Sequence, residues 1–252
     1  MRRLTPDPGP VDLHTAIPEL RLAERAPRDR PYVIANFVES VDGRATVKGG
    51  STGLGSAGDK AIFRTLRGCA DAVLAGVGTI SAEHYGRMVR EPEVAALRAR
   101  LGLPAQPPLV TITRSGSLPD GIPLLDDPDS ELIVYAGTEL TVPDAAARVV
   151  VARRQPGQLT MAAVLADLRA RGIGLLLCEG GPTLFSQLVT EGVCDELFVT
   201  LAAALAGGDG GAITHGLQLD DPAVVSLLWA LEQDSALFLR YGISEIARLT
   251  DR

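Results

Sequence analysis

Between Gly172 and Gly192 an apolar run from Ile173 to Cys178 stops at Glu179-Gly180-Gly181-Pro182. It gives way to apolar residues at helical spacing, Leu184, Phe185, Leu188 and Val189. This pattern predicts a buried strand, a tight turn and a helix, the repeating element of an α/β chain. Gly180 and Gly181 permit positive φ and close approach of a ligand to the backbone. Pro182 suits a first helical position, and Gly192 the residue just past a last turn. Free N–H groups at such a helix start, added to the helix dipole, favour a bound phosphate. An ordinary strand-to-helix connection without a ligand is the other reading of the same residues.

The 252 residues are enough for one large α/β domain, with two small ones as the lesser reading, and 46% hydrophobic with 22% charged residues reads as globular with a sizeable core. A net charge of −7 argues against non-specific binding to nucleic acid or to an acidic membrane surface, while leaving room for local basic pockets. The three cysteines, Cys69, Cys178 and Cys194, form no C-x-x-C pair. Cys178 and Cys194 lie in apolar runs, which reads as buried reduced thiols in a cytoplasmic protein. No signal-peptide pattern and no membrane-length apolar stretch stands out, and no metal-ligand cluster is expected.

Residues 1–30 are rich in proline and charge and read as an irregular arm, with a short helical turn around residues 18–25. His14 there has no motif around it. From Tyr32 an apolar, β-rich run leads to an Asp42-Gly43 turn and then to a glycine-rich loop over residues 47–56. That loop is either a mobile cover for a ligand or a plain surface loop. Ser56 and Asp59 begin a helix with Ile62, Leu66 and Cys69 on one face. A strand at residues 72–75 runs into Gly76-Val77-Gly78-Thr79, a second strand-end glycine pair that lacks the third glycine of the dinucleotide fingerprint. Glycine turns at two strand ends are what an open sheet needs to hold an extended cofactor along its carboxyl edge.

Glu83, His84, Tyr85, Arg87 and Arg90 follow, and read either as proton-transfer and phosphate-binding groups or as ordinary helix-flanking charges. A helix over residues 91–101 and a strand at 109–113 come next. Thr113-Arg114-Ser115 could then grip a ribose 2′-phosphate or form a plain polar turn. Strands at 132–135 and 148–152 precede a helix capped by Thr160, in which Met161 is core. Past the central turn, residues 195–201 read as a strand. The glycine-rich 205–211 segment lacks the Lys-Ser/Thr of a Walker loop, and residues 227–232 and 236–241 form a closing antiparallel hairpin.

Four segments together carry a resemblance. They are Ala35-Asn36-Phe37 to Ser40-Val41-Asp42-Gly43-Arg44; Ala70-Asp71 to Gly76-Val77-Gly78-Thr79; Thr113-Arg114; and Glu179-Gly180-Gly181-Pro182-Thr183-Leu184 with Asp195-Glu196-Leu197. In order and spacing, residues 31–243 resemble the C-terminal reductase domain of the bifunctional riboflavin-biosynthesis deaminase/reductase, within the dihydrofolate-reductase-like group. The resemblance implies one reductase domain over residues 31–252. Its fold would be a three-layer α/β/α arrangement with a mixed, mostly parallel sheet and a C-terminal antiparallel hairpin. It also implies NADPH as hydride donor, a small phosphorylated pyrimidine as substrate, and a homodimer.

Carried over, Ala35, Gly76, Gly78, Thr79, Thr113, Arg114, Glu179, Gly180, Gly181, Pro182, Thr183 and Leu184 would touch NADPH. Asn36, Ser51 and Arg90 would touch the substrate, and Glu83 and Asp42 are the candidate catalytic acids. The chain departs from the bifunctional pattern at Asn36, where those reductases carry Lys, and at Glu83, where they carry Asp. The arginine expected in the first helix for the substrate phosphate is also displaced, with Lys60 and Arg64 nearest that slot. The zinc-deaminase signature of the bifunctional relatives does not occur. The expected activity is NADPH-dependent reduction of 5-amino-6-(5-phosphoribosylamino)uracil. Reduction of dihydrofolate or another pterin on the same fold is the alternative, and non-catalytic nucleotide binding is the third reading.

Overall fold

The structure, a computed structural model, describes residues 1–119, 121–155, 157–216 and 222–243. In chain order the elements are β1 (Arg2–Thr5), β2 (Gly9–Pro10), α1 (Leu13–Ala16), β3 (Tyr32–Ser40), α2 (Ala57–Cys69), β4 (Ala72–Leu74), α3 (Val77–Ala82) and α4 (Pro92–Arg100). They continue with β5 (Leu109–Thr113), β6 (Glu131–Ala136), β7 (Arg148–Arg153), α5 (Met161–Ala170), β8 (Leu175–Cys178), α6 (Pro182–Thr190), β9 (Glu196–Ala202), β10 (Val225–Gln233) and β11 (Ala236–Ile243). The chain divides into two compact units, Met1–Leu20 with Val33–Phe63 and Pro182–Arg252, and Arg21–Tyr32 with Arg64–Gly181. The last residues of the domain expected over 31–252 lie outside the described residues.

The unit built from Arg64–Gly181 is a parallel sheet in the order β8-β4-β5-β6-β7. Its central strands are apolar because both faces are covered: every residue of β8 and of β4 is buried. Asp71 fixes where β8 begins. One carboxylate oxygen accepts the Gly174 and Leu175 amides at 2.9 and 2.7 Å. The end of α2 is closed by Arg98 from α4, whose fully buried guanidinium donates to the carbonyls of Arg67, Ala70 and Pro104. This satisfies C-terminal carbonyls that a helix leaves unpaired. Thr160 caps α5 as expected, its hydroxyl accepting the Ala163 amide at 3.2 Å.

In the other unit the strand order is β2-β1-β10-β11-β9-β3, antiparallel throughout except for the β3–β9 pair. Here the sequence expectation needs a correction. The N-terminal arm is not irregular from end to end, because β1 extends the sheet by pairing with β10. The helical turn expected at residues 18–25 is present as two short 3-10 turns, Pro18–Leu20 and Leu22–Arg25. The hairpin of β10 and β11 turns at Asp234 and Ser235, with φ of 54° and 66°, the paired positive φ of a type I′ connection.

Asp195 does for β3 what Asp71 does for β8, accepting the Val33 amide at 2.7 Å. Below it a two-toothed ion pair joins Glu196 to Arg240 at 2.7 and 2.6 Å, both side chains buried. Phe198 and Trp229 flank the Arg240 guanidinium at 5.8 and 5.3 Å from their ring centroids. Among the described residues no helix is long and apolar enough to cross a membrane.

Candidate active site

The two strand-end glycine turns meet. Gly76 ends β4 and caps α3, and its amide donates to the Gly180 carbonyl at 3.1 Å. A Cβ on Gly76 would stand 3.6 Å from the Gly181 Cα and 3.8 Å from the Gly180 oxygen, so the missing side chain leaves backbone open on this side. Gly180 and Gly181 have φ of 130° and 91°, conformations that side-chain-bearing residues rarely adopt. The result is a cradle of bare backbone at adjacent strand ends, the surface on which a diphosphate can sit close to the chain. Gly78 is exposed and Thr79 half-buried within α3. That short helix replaces the plain turn expected from the sequence.

At the end of β5, Thr113 is buried and Arg114 exposed. The Thr113 hydroxyl donates to the Ser117 carbonyl at 3.0 Å and lies 3.3 Å from the Ser115 hydroxyl, which is 2.9 Å from that of Ser117. Gly116 keeps this loop tight. With φ of 73°, its Cβ position would collide with the Glu139 carbonyl oxygen. An exposed arginine in a loop that carries several hydroxyls is chemistry suited to a phosphate monoester.

Glu179 departs from its expected role. Its side chain is only 1% exposed. It accepts Arg67 Nε and Nη2 at 2.5 and 2.6 Å and the Tyr85 hydroxyl at 2.8 Å. The carboxylate is taken up by protein donors. Burial, with the Glu179 charge beside it, pushes the Tyr85 hydroxyl well above its ordinary range, so it stays a donor. Arg67 and Tyr85 were missed as site residues. Tyr85 stood in the polar run after Gly76-Val77-Gly78-Thr79, but nothing in sequence spacing could show where its hydroxyl would end.

Asp42, expected as a catalytic acid, anchors a loop. Its exposed carboxylate accepts the Ser40 hydroxyl at 2.6 Å and the Ala206 and Gly207 amides at 2.9 and 2.8 Å. Those bonds, the Ser40 hydroxyl foremost, hold it well below the usual carboxylate range, so at neutral pH it has no proton to give. The same strap continues as Ala45 donates to Gly211 and Arg44 to Gly210. Ala35 is fully buried on β3, and Asn36 beside it is 8% exposed, near Thr200, Trp229 and Phe238.

Ser51 is half-buried in the glycine-rich loop, which closes on itself through a Val47–Gly50 bridge. Pro182 and Thr183 are exposed and Leu184 half-buried in the first turn of α6. Glu83 is half-buried at the end of α3, and the chain turns at His84, φ 47°. Arg90 is exposed, and its Nε donates to the Arg87 carbonyl at 3.2 Å. Of the two cations near the displaced phosphate slot, Arg64 pairs with Glu91 at 2.9 Å while Lys60 is exposed. Burial raises the Cys69 and Cys178 thiols to about 12, which removes them as nucleophiles at neutral pH.

Comparison with known proteins decides the family. The RibD C-terminal domain profile matches residues 31–235. The chain belongs to the RibD C-terminal domain family. Among relatives, the 2,5-diamino-6-ribosylamino-4(3H)-pyrimidinone 5′-phosphate reductase of Methanothermobacter thermautotrophicus is 28% identical over 201 residues, 77% of this chain and 88% of that protein. The enzyme of the same name from Archaeoglobus fulgidus is 26% identical over 182 residues, 71% and 83% of the two chains. A pyrimidine reductase-like protein from Corynebacterium diphtheriae shares the fold with a TM-score of 0.73 at 21% identity, covering 93% of this chain and all of the other. That likeness agrees with the α/β architecture expected from the sequence. In this RibD C-terminal domain the motif carboxylates Asp42, Asp71, Glu179, Asp195 and Glu196 all bind protein groups.

Proposed function

We propose that this RibD C-terminal domain is an NADPH-dependent reductase that converts the ribosylamino group of a 5-phosphoribosylaminopyrimidine to a ribitylamino group. One observation supports this most: the Gly76 and Gly180 turns are hydrogen-bonded together, leaving side-chain-free backbone at two adjacent strand ends. The residues fit the cofactor. Gly76, Gly180 and Gly181 would take its diphosphate, and Arg114 with Thr113 and Ser115 its 2′-phosphate. When bound, NADPH supplies a hydride.

The chemistry asked of the protein is modest. The C1′–O4′ bond of the substrate opens to give a C1′=N imine and a free hydroxyl. Hydride then adds to C1′ and one proton to nitrogen. Glu83, or a water held near it, is the proton source in this reading, and Arg90 is the cation for the substrate phosphate. Two ring forms fit. The sequence resemblance points to 5-amino-6-(5-phosphoribosylamino)uracil, whereas the relatives that match over most of their own length are named for the 2,5-diaminopyrimidinone.

Two substitutions test the division of labour. Arg90→Ala should raise KM for a phosphorylated substrate, and less so for its dephosphorylated analogue. Glu83→Gln should lower kcat by about 10²–10⁴-fold with NADPH affinity retained. Wild-type turnover by Glu83→Gln would assign the proton to another group or to solvent.

A further inference from the structure

Glycines that leave a cradle open also leave it unable to hold its own shape, since each has the widest choice of φ and ψ. Something else must fix the Gly180–Gly181 turn against Gly76. The residue before the turn is Glu179, whose amide donates to the Leu74 carbonyl at 3.0 Å and whose buried carboxylate receives three donors. Arg67 supplies two of them from the end of α2 and uses its Nη1 on the Met88 carbonyl at 3.1 Å. Its own carbonyl is held by Arg98 at 2.8 Å. Tyr85 supplies the third from the segment that follows α3, its ring lying 5.5 Å from the Arg67 guanidinium. The carboxylate therefore ties together the end of α2, the segment leaving α3 and the start of the glycine turn.

We infer that Tyr85 and Arg67 are positioning residues for the cofactor's diphosphate, acting through the Glu179 carboxylate. This rests on the NADPH reading and adds to it a reason why Glu179 matters without contact through its side chain. Tyr85→Phe removes one hydroxyl and keeps the ring, so its effect falls on the turn and not on packing. A charge-assisted hydrogen bond lost inside the protein corresponds to about a tenfold change in an equilibrium constant.

The test is a double-mutant cycle on NADPH affinity by fluorescence titration, with steady-state kinetics beside it. Tyr85→Phe should weaken NADPH binding about tenfold, with the loss seen in KM for NADPH and not in kcat or in KM for the pyrimidine. Glu179→Gln should do the same, and the double variant should be no worse than the poorer single one, because both act on one link. Additive losses, or wild-type affinity in Tyr85→Phe, would overturn the inference while the NADPH reading stands. A wild-type protein that binds no NADPH would overturn both. If Tyr85→Phe does not fold, Arg67→Lys, which keeps the charge and loses the fork, should show the same NADPH-specific loss, and wild-type affinity there would overturn the inference.

Discussion

Arg114 stands exposed at the end of β5, next in sequence to the hydroxyl-bearing Thr113 and Ser115, and the proposed function assigns it to the cofactor's 2′-phosphate. Arg114→Ala should weaken NADPH binding by roughly ten- to a hundred-fold and leave NADH binding unchanged, as measured by titration of both. Equal losses for the two cofactors would mean that Arg114 supports the loop and not the 2′-phosphate. Asp42 belongs to the same scale with a different consequence. Its folded pKa lies below the unfolded one, so its contribution to stability is present above the ordinary carboxylate value and is lost as pH falls through the folded value. Asp42→Asn should flatten the acid limb of a melting-temperature profile below about pH 4, and an unchanged limb would show that the strap to Ala206 and Gly207 is idle. The motif residues Asp42, Asp71, Glu179 and Asp195 were legible as residues worth singling out. Their purpose was not, because a carboxylate that receives distant backbone amides or side-chain donors looks the same in sequence as one that meets a ligand.

At the scale of elements, the strands and helices with strong periodicity were legible nearly to the residue. β5 spans the expected 109–113, and α5 begins right after its Thr160 cap. The two strands flanking Asp234-Ser235 were equally clear, since alternating apolar runs about a short polar turn are a local signal. α3 was not legible: six residues opened by Gly-x-Gly are too few to show a helical period. β1 was hidden for another reason. Its residues are polar and proline follows them, and only pairing with β10, far along the chain, makes a strand of them. The glycine turn after β8 was legible in position and in its need for positive φ, and it carries a direct prediction. Gly181→Val should abolish NADPH binding while the far-ultraviolet circular dichroism stays near that of the wild type, because a β-branched residue is barred from φ of 91° and would fill the cradle. Tight NADPH binding by that variant would move the diphosphate elsewhere.

For the molecule as a whole, the net charge of −7 means that the proposed anionic cofactor and substrate would have to be held by local cations and backbone amides. Arg90 and Arg114 are exposed cations at positions the reading assigns to phosphates. The α/β class and the order of motifs were legible from the sequence. The division into two compact units was not, because it depends on contacts between segments as far apart in sequence as residues 33–63 and 182–252. One assay on the purified chain tests the proposed activity most directly: NADPH consumption, followed by its absorbance, with each phosphoribosylaminopyrimidine, with dihydrofolate, and with NADH in place of NADPH. Rapid NADPH oxidation with at least one of the two pyrimidines, slow oxidation of NADH, and none with dihydrofolate is the expected result. No oxidation with either pyrimidine, or turnover of dihydrofolate alone, would contradict it.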